Sequence, residues 1–124
     1  MEKETLNDVF QRLKSILKTY EASLIVKTDN EDMYYLETSY VMKFNKANLL
    51  FGSVLIEKDE VRFYLNPVIL FPELLEDVSQ ELKDNMDGKP FFSFTSIDET
   101  LFAELEVLTK KGVEKFQQEG AIGI

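Results

Sequence analysis

Almost every side chain here that could handle a proton or a metal is a carboxylate. The chain of 124 residues carries 23 Asp and Glu against 14 Lys and Arg, with no His and no Cys. Without imidazole, the Ser-His-Asp and Cys-His arrangements are closed, as is the usual near-neutral proton carrier. Without thiols there is no disulfide, no thiolate metal site and no cysteine nucleophile, a usage that suits a reducing cytosol. No Ser-x-x-Lys spacing sits where a lysine would serve a serine as base, and neither glycine-rich phosphate signature is present. A carboxylate pair in a pocket is the remaining route to acid and base chemistry. These exclusions point away from an enzyme.

Oxygen ligands alone select a hard cation such as magnesium, calcium or iron. Asp29, Glu31 and Asp32 share one polar turn, but the glycine and closing glutamate of a calcium loop are missing. Glu81, Asp84 and Asp87 fall near one face of a short helix and could hold a cation weakly. Both groups are expected to be ordinary turn and surface carboxylates, since such clusters usually are. No resident cofactor is expected.

Charge narrows the partners. Glu73, Glu76, Asp77, Glu81, Asp84, Asp87, Asp98, Glu99, Glu104 and Glu106 face only Lys83 and Lys89 over the same stretch, and the net charge is −9. Such a surface repels a phosphate backbone, so nucleic acid is not expected unless Lys43 and Lys46 make a local patch. No run approaches the roughly 18 apolar residues of a membrane span, and Met1-Glu2-Lys3-Glu4 leads into an amphipathic pattern and not an apolar signal core. A soluble, cytoplasmic, single domain over residues 1–124 is expected.

The aromatic supply must therefore be positioned by a fold, and the fold is organised around one hairpin. Leu49 to Ile56 and Val61 to Leu65 are apolar runs joined by Glu57-Lys58-Asp59-Glu60. With Lys58 and Asp59 at the tip, Ile56 faces Val61, Val54 faces Phe63 and Gly52 faces Leu65. Alternation then puts those residues on a core face and Phe51, Ser53, Leu55, Arg62 and Tyr64 on a second face. That second face is too apolar for plain solvent, and core or an interface explains it more readily than a ligand. As a ligand surface it would use Phe51, Ser53, Arg62 and Tyr64, closed by Tyr40 and Lys43 from the Tyr40 to Lys46 loop.

Around the hairpin, Leu6, Val9, Phe10, Leu13, Ile16, Leu17 and Tyr20 recur at helical spacing, with Thr5 and Asp8 as a capping box. Ser23 to Lys27 and Met33 to Leu36 read as strands about a turn at residues 29–32, and Glu37 to Asn48 as a loop. Pro72 to Asp77 suits a short helix, Ser79 caps another through Met86, and Phe91 to Phe94 makes a fifth strand. Ser96 with Glu99 reads as a capping box for a last helix striped by Leu101, Leu105, Leu108, Gly112 and Phe116, which ends at Gly120.

The segments Phe51-Gly52-Ser53-Val54, Val61 to Val68, Phe71-Pro72, Gly88 to Phe94 and Asp98 to Phe102 together resemble the YdhG-like family, small bacterial domains of unknown function. The resemblance covers roughly residues 20 to 118 and lies in core and turn positions. It implies a compact α+β domain and, from a branch described as frataxin-like iron chaperones, an acidic iron-binding surface. The Trp-x-x-Pro of that branch is absent, with Ala47-Asn48 where the proline would stand, so no metal residue carries over by position.

The expected fold is α+β, an antiparallel sheet of about five strands with the N-terminal and C-terminal helices packed on it and short helices before the last strand. The expected function is a non-enzymatic binding domain for a small ligand or, from the resemblance, iron. The alternative is a protein-protein interaction module or homodimer with no small ligand.

Overall fold

The computed structural model describes residues 5–43, 45–86 and 91–121. Five antiparallel strands lie in sequence order: β1 (Ile25–Asp29), β2 (Met33–Val41), β3 (Asn48–Glu57), β4 (Glu60–Leu65) and β5 (Phe91–Phe94). The helix α1 (Leu6–Lys18) precedes the sheet and α4 (Glu99–Gln118) follows it. Between β4 and β5 run α2 (Pro67–Leu70), a 3-10 turn at Pro72–Leu75, and α3 (Gln80–Lys83). The fold is the α+β arrangement that the order of apolar patterns predicts.

Local chemistry explains the boundaries. Thr5 accepts a hydrogen bond from the Asp8 amide, and the Asp8 carboxylate accepts one from the Thr5 amide, closing the box at the start of α1. Ser79 caps α3 through the Leu82 amide, but the helix ends at Lys83 and does not run on to Met86. The last helix is capped by Asp98, whose carboxylate takes the Leu101 amide, and not by the expected box of Ser96 and Glu99. Glu99 is engaged elsewhere: Arg12 of α1 donates to its carboxylate from Nε and Nη2 at 2.8–3.1 Å. That contact holds the Glu99 carboxyl below its ordinary pKa, through the hydrogen bond first and the guanidinium charge second.

The central hairpin has the predicted register, with Gly52 opposite Leu65, Val54 opposite Phe63, Ile56 opposite Val61 and Glu57 opposite Glu60. Lys58 turns the chain in the left-handed region at φ 58°. Two expectations need correction. Glu37 to Val41 is strand, not loop: Thr38 is fully buried, its Oγ1 donates to the Leu49 carbonyl, and Asn48 Nδ2 donates back to the Thr38 carbonyl. Phe51 does not share the second face. Leu36 pairs with Gly52 while Glu37 pairs with Leu50, which leaves Phe51 as an extra residue in β3. This bulge resets the alternation, because two residues of one strand then oppose one of the other. Phe51 turns inward, fully buried, with its ring edge-on to Phe116 of α4 at 5.9 Å.

The core lies between one sheet face and the helices. Tyr34, Leu36, Val54, Val61, Phe63, Leu65 and Phe92 meet Val9, Phe10, Leu13 and Leu17 of α1 and Phe102, Leu105 and Phe116 of α4. Phe94 stands edge-on to Phe102 at 5.0 Å. Gly52 lies under α1: a Cβ there would sit 2.8 Å from the Tyr64 carbonyl and 3.4 Å from a Leu17 methyl. Thr109 of α4 is fully buried, and its hydroxyl has no partner among the described residues.

Candidate functional site: the open face of the sheet

Because α1 and α4 pack on the same face, the sheet presents its other face without a long helix over it. The pairings carry one row of side chains across all five strands: Thr28, Tyr35, Ser53, Tyr64 and Phe91. A neighbouring row holds Met33, Leu55, Arg62 and Ser93. Nearly all of these are half-buried, whereas Ser53 is 4% exposed because it is the small residue between Tyr35 and Tyr64.

The aromatic end of the row is ordered by direct contacts. Tyr64 and Phe91 meet edge-on at 4.9 Å, and the Arg62 guanidinium lies 5.1 Å from the Phe91 ring centre. Both contacts hold flat groups without closing a core over them. Arg62 Nε donates to Glu60 at 2.9 Å, with Glu57 at 3.7 Å. The Tyr64 hydroxyl donates to Asn66 Oδ1 at 3.4 Å, and Asn66 Nδ2 donates to the Leu50 carbonyl at 2.8 Å. Burial, and then electrostatic interaction with the neighbouring Tyr35, push the Tyr64 phenol above its ordinary pKa.

The six residues expected to form one ligand surface separate into three places. Ser53, Arg62 and Tyr64 share the open face. Phe51 is in the core. Tyr40 lies at, and Lys43 just beyond, the other end of the β2–β3 ladder, where Val41 pairs with Asn48, while Arg62 pairs with Leu55. The rise from Asn48 to Leu55 is roughly 23 Å at about 3.3 Å per residue, so the expected concavity between Arg62, Tyr64 and the Tyr40 to Lys46 segment is not formed. Tyr40 instead lines a cleft of about 270 Å³ with Leu49, Leu70, Phe71, Phe116, Glu119 and Ala121, on the helical side. Lys43 is exposed. Sequence reasoning missed Met33 and Phe91 as members of the open face. Strand pairing beyond the hairpin was needed to place them.

Glu81 is exposed on α3 and Asp84 at its C-cap, Asp84 accepts a hydrogen bond from Gln80 Nε2 at 2.9 Å, and Asp87 lies outside the described residues. Asp29 is tied to Lys14 at 2.6 Å. Among the described residues no group of three or more His, Cys, Asp or Glu side chains could hold a metal ion. Among the same residues, no helix is long and apolar enough to cross a membrane.

The architecture is thus a helix-backed antiparallel sheet with one face left open. No family model, curated protein or solved structure matches this chain significantly.

Proposed function

We propose that this protein is a non-enzymatic binding domain whose working surface is the open sheet face, and that the surface takes another protein more readily than a small molecule. One observation carries the reading: Tyr35, Tyr64, Phe91, Met33 and Leu55 stand half-exposed around Arg62 and have no long helix over them. Tyr, Phe, Met and Arg are the residue types enriched where proteins meet. Clefts of about 320, 170 and 270 Å³ lie on the helical side, away from this face. Membership of the YdhG-like family remains part of the proposal, supported by the core and turn segments quoted above. Iron delivery is not part of it.

A photo-crosslinking residue at Tyr35, compared in cells with one at Lys18 on the outer surface of α1, tests the reading. Discrete adducts from position 35, absent at 18 and lost in the Arg62→Glu, Tyr64→Ser double variant, are expected. Equal adducts at both positions, or none at 35, would discard it. Light scattering separates the occupants: adducts of twice the chain mass from a dimeric sample identify a second copy, and heavier unequal adducts from a monomer identify another protein.

A further inference from the structure

On the far side of the molecule, α4 turns an apolar strip outward. Val107 is 56% exposed, the most exposed of the large apolar side chains described. It stands beside a groove of about 320 Å³ between α4 and the segment that carries the 3-10 turn, with Leu74, Val78, Ala103 and Leu108 as apolar lining. Asp77, Glu104 and Lys111 complete the wall. The groove follows α4 from Ala103 to Lys111, about 12 Å at 1.5 Å per residue. That length suits two turns of a helix lying alongside.

Charge decides what kind of helix. Glu73, Glu76 and Asp77 belong to the segment that forms one wall, with no Lys or Arg between Pro72 and Val78, and Glu104 adds to it from α4, opposed by Lys111. Glu104 is anchored, accepting hydrogen bonds from the Ser79 amide and hydroxyl, so its carboxylate is a fixed part of the wall. Lys111 reaches Asp77 only at 3.7 Å, and the Asp77 side chain is 87% exposed, which leaves this carboxylate able to change partners. A second copy of the chain, itself at −9, would bring like charge to the same rim. An acidic peptide would meet the same repulsion.

We infer that the groove between α4 and the Leu74–Val78 segment docks a basic amphipathic helix of a partner protein, which seats aliphatic side chains over Val107 and Leu108 and sets Lys or Arg against Asp77 and the neighbouring glutamates. Helix-in-groove recognition of this type reads apolar anchors at three and four residue spacing. The surrounding charge steers encounter and rejects acidic competitors. This surface is separate from the open sheet face, and neither reading requires the other.

The test uses the full chain and a fluorescent designed peptide of about four helical turns, with leucines on one face and lysines flanking them. Two further peptides serve as probes: one of the same composition with the leucines scrambled, and one with glutamate for every lysine. Anisotropy is expected to report saturable binding of the patterned lysine peptide alone, with backbone amide shifts centred on Leu74, Val78 and Val107. Val107→Glu, at a position too exposed to threaten folding, is expected to weaken it about tenfold, the usual loss at an anchoring contact. Asp77→Lys is expected to weaken it and flatten its salt dependence. Tyr64→Ser on the open face is expected to leave it unchanged. Equal binding of the scrambled peptide, equal binding of the glutamate peptide, or no saturation by the patterned one would overturn the inference.

Discussion

The two faces of the sheet use much the same aromatic and aliphatic residues for opposite ends. On the core face Phe63 sits opposite Phe92, their rings edge-on at 6.4 Å, and both are fully buried. On the open face, one residue along each strand, Tyr64 sits opposite Phe91 in a similar edge-on pair that water still reaches. The difference lies in what stands beyond the rings: α1 and α4 in one case, solvent and Arg62 in the other. Burial converts side-chain area into stability only when a second layer excludes water. An apolar face without that layer is free for association.

The sharpest way to break this contrast is to truncate neighbouring rings. Phe63→Ala is expected to cost about 3–5 kcal/mol, the range for emptying a core aromatic site, read from urea unfolding midpoints. Tyr64→Ala should cost about 1 kcal/mol, chiefly the lost ring pair. Equal costs would mean that the open face is structural.

Gly52 tests how closely the helical layer is laid on. Gly52→Ala is expected to destabilise by about 1–3 kcal/mol, as overpacking does, because the new methyl meets the Tyr64 carbonyl at 2.8 Å, a backbone atom that cannot swing aside.

The buried tyrosine of the core face supplies a pH test. Burial, then a short hydrogen bond to Glu21 and the charges of Glu21 and Asp29, push the Tyr34 phenol above its ordinary pKa. Above pH of about 10 the unfolded chain releases this proton while the folded chain keeps it. Stability is therefore full below that pH and falls as pH rises, by up to about 1.4 kcal/mol per pH unit for one group. Unfolding curves between pH 8 and pH 11, roughly the span either side of a free tyrosine, should lose part of this slope in Tyr34→Phe. Tyr64→Phe should remove less, as its phenol is raised without a carboxylate hydrogen bond.

The smallest effect belongs to Leu55→Ser on the open face. A melting curve should report a loss of about 1 kcal/mol or less, as for surface changes away from a packed core, while crosslinking from position 35 falls.

How much of this was legible follows from which interactions are local. The Lys58–Asp59 turn fixes register by counting, so the β3–β4 pairing could be read residue by residue. The Thr5–Asp8 box is equally short-range. Phe51 failed because counting assumes unbroken alternation, although the lone Gly52 inside an apolar strand was a sign of a bulge. Thr38 read as a polar loop residue, yet its β-branched side chain fits a pleated surface and its hydroxyl is satisfied across the strand pair. Ser96 lost to Asp98 because Glu99 is held by Arg12, a contact 87 positions away in sequence. The grouping of Tyr35, Tyr64 and Phe91 depends on three strand pairings at once, and only the sheet assembles them. The separation of Tyr40 from Arg62 is likewise a matter of strand length.

The extra residue in β3 also has a reach along the chain that its position conceals. Phe51 meets Phe116, Phe116 meets Phe71 at 6.1 Å, and the Phe116 carbonyl accepts the Ala121 amide. Deleting that single residue would remove one of the two irregularities of the β2–β3 ladder and simultaneously leave the end of α4 without its footing. A local repair in the middle of the sheet would thus loosen the far end of the polypeptide, so this strand should tolerate a change of side chain far better than a change of length.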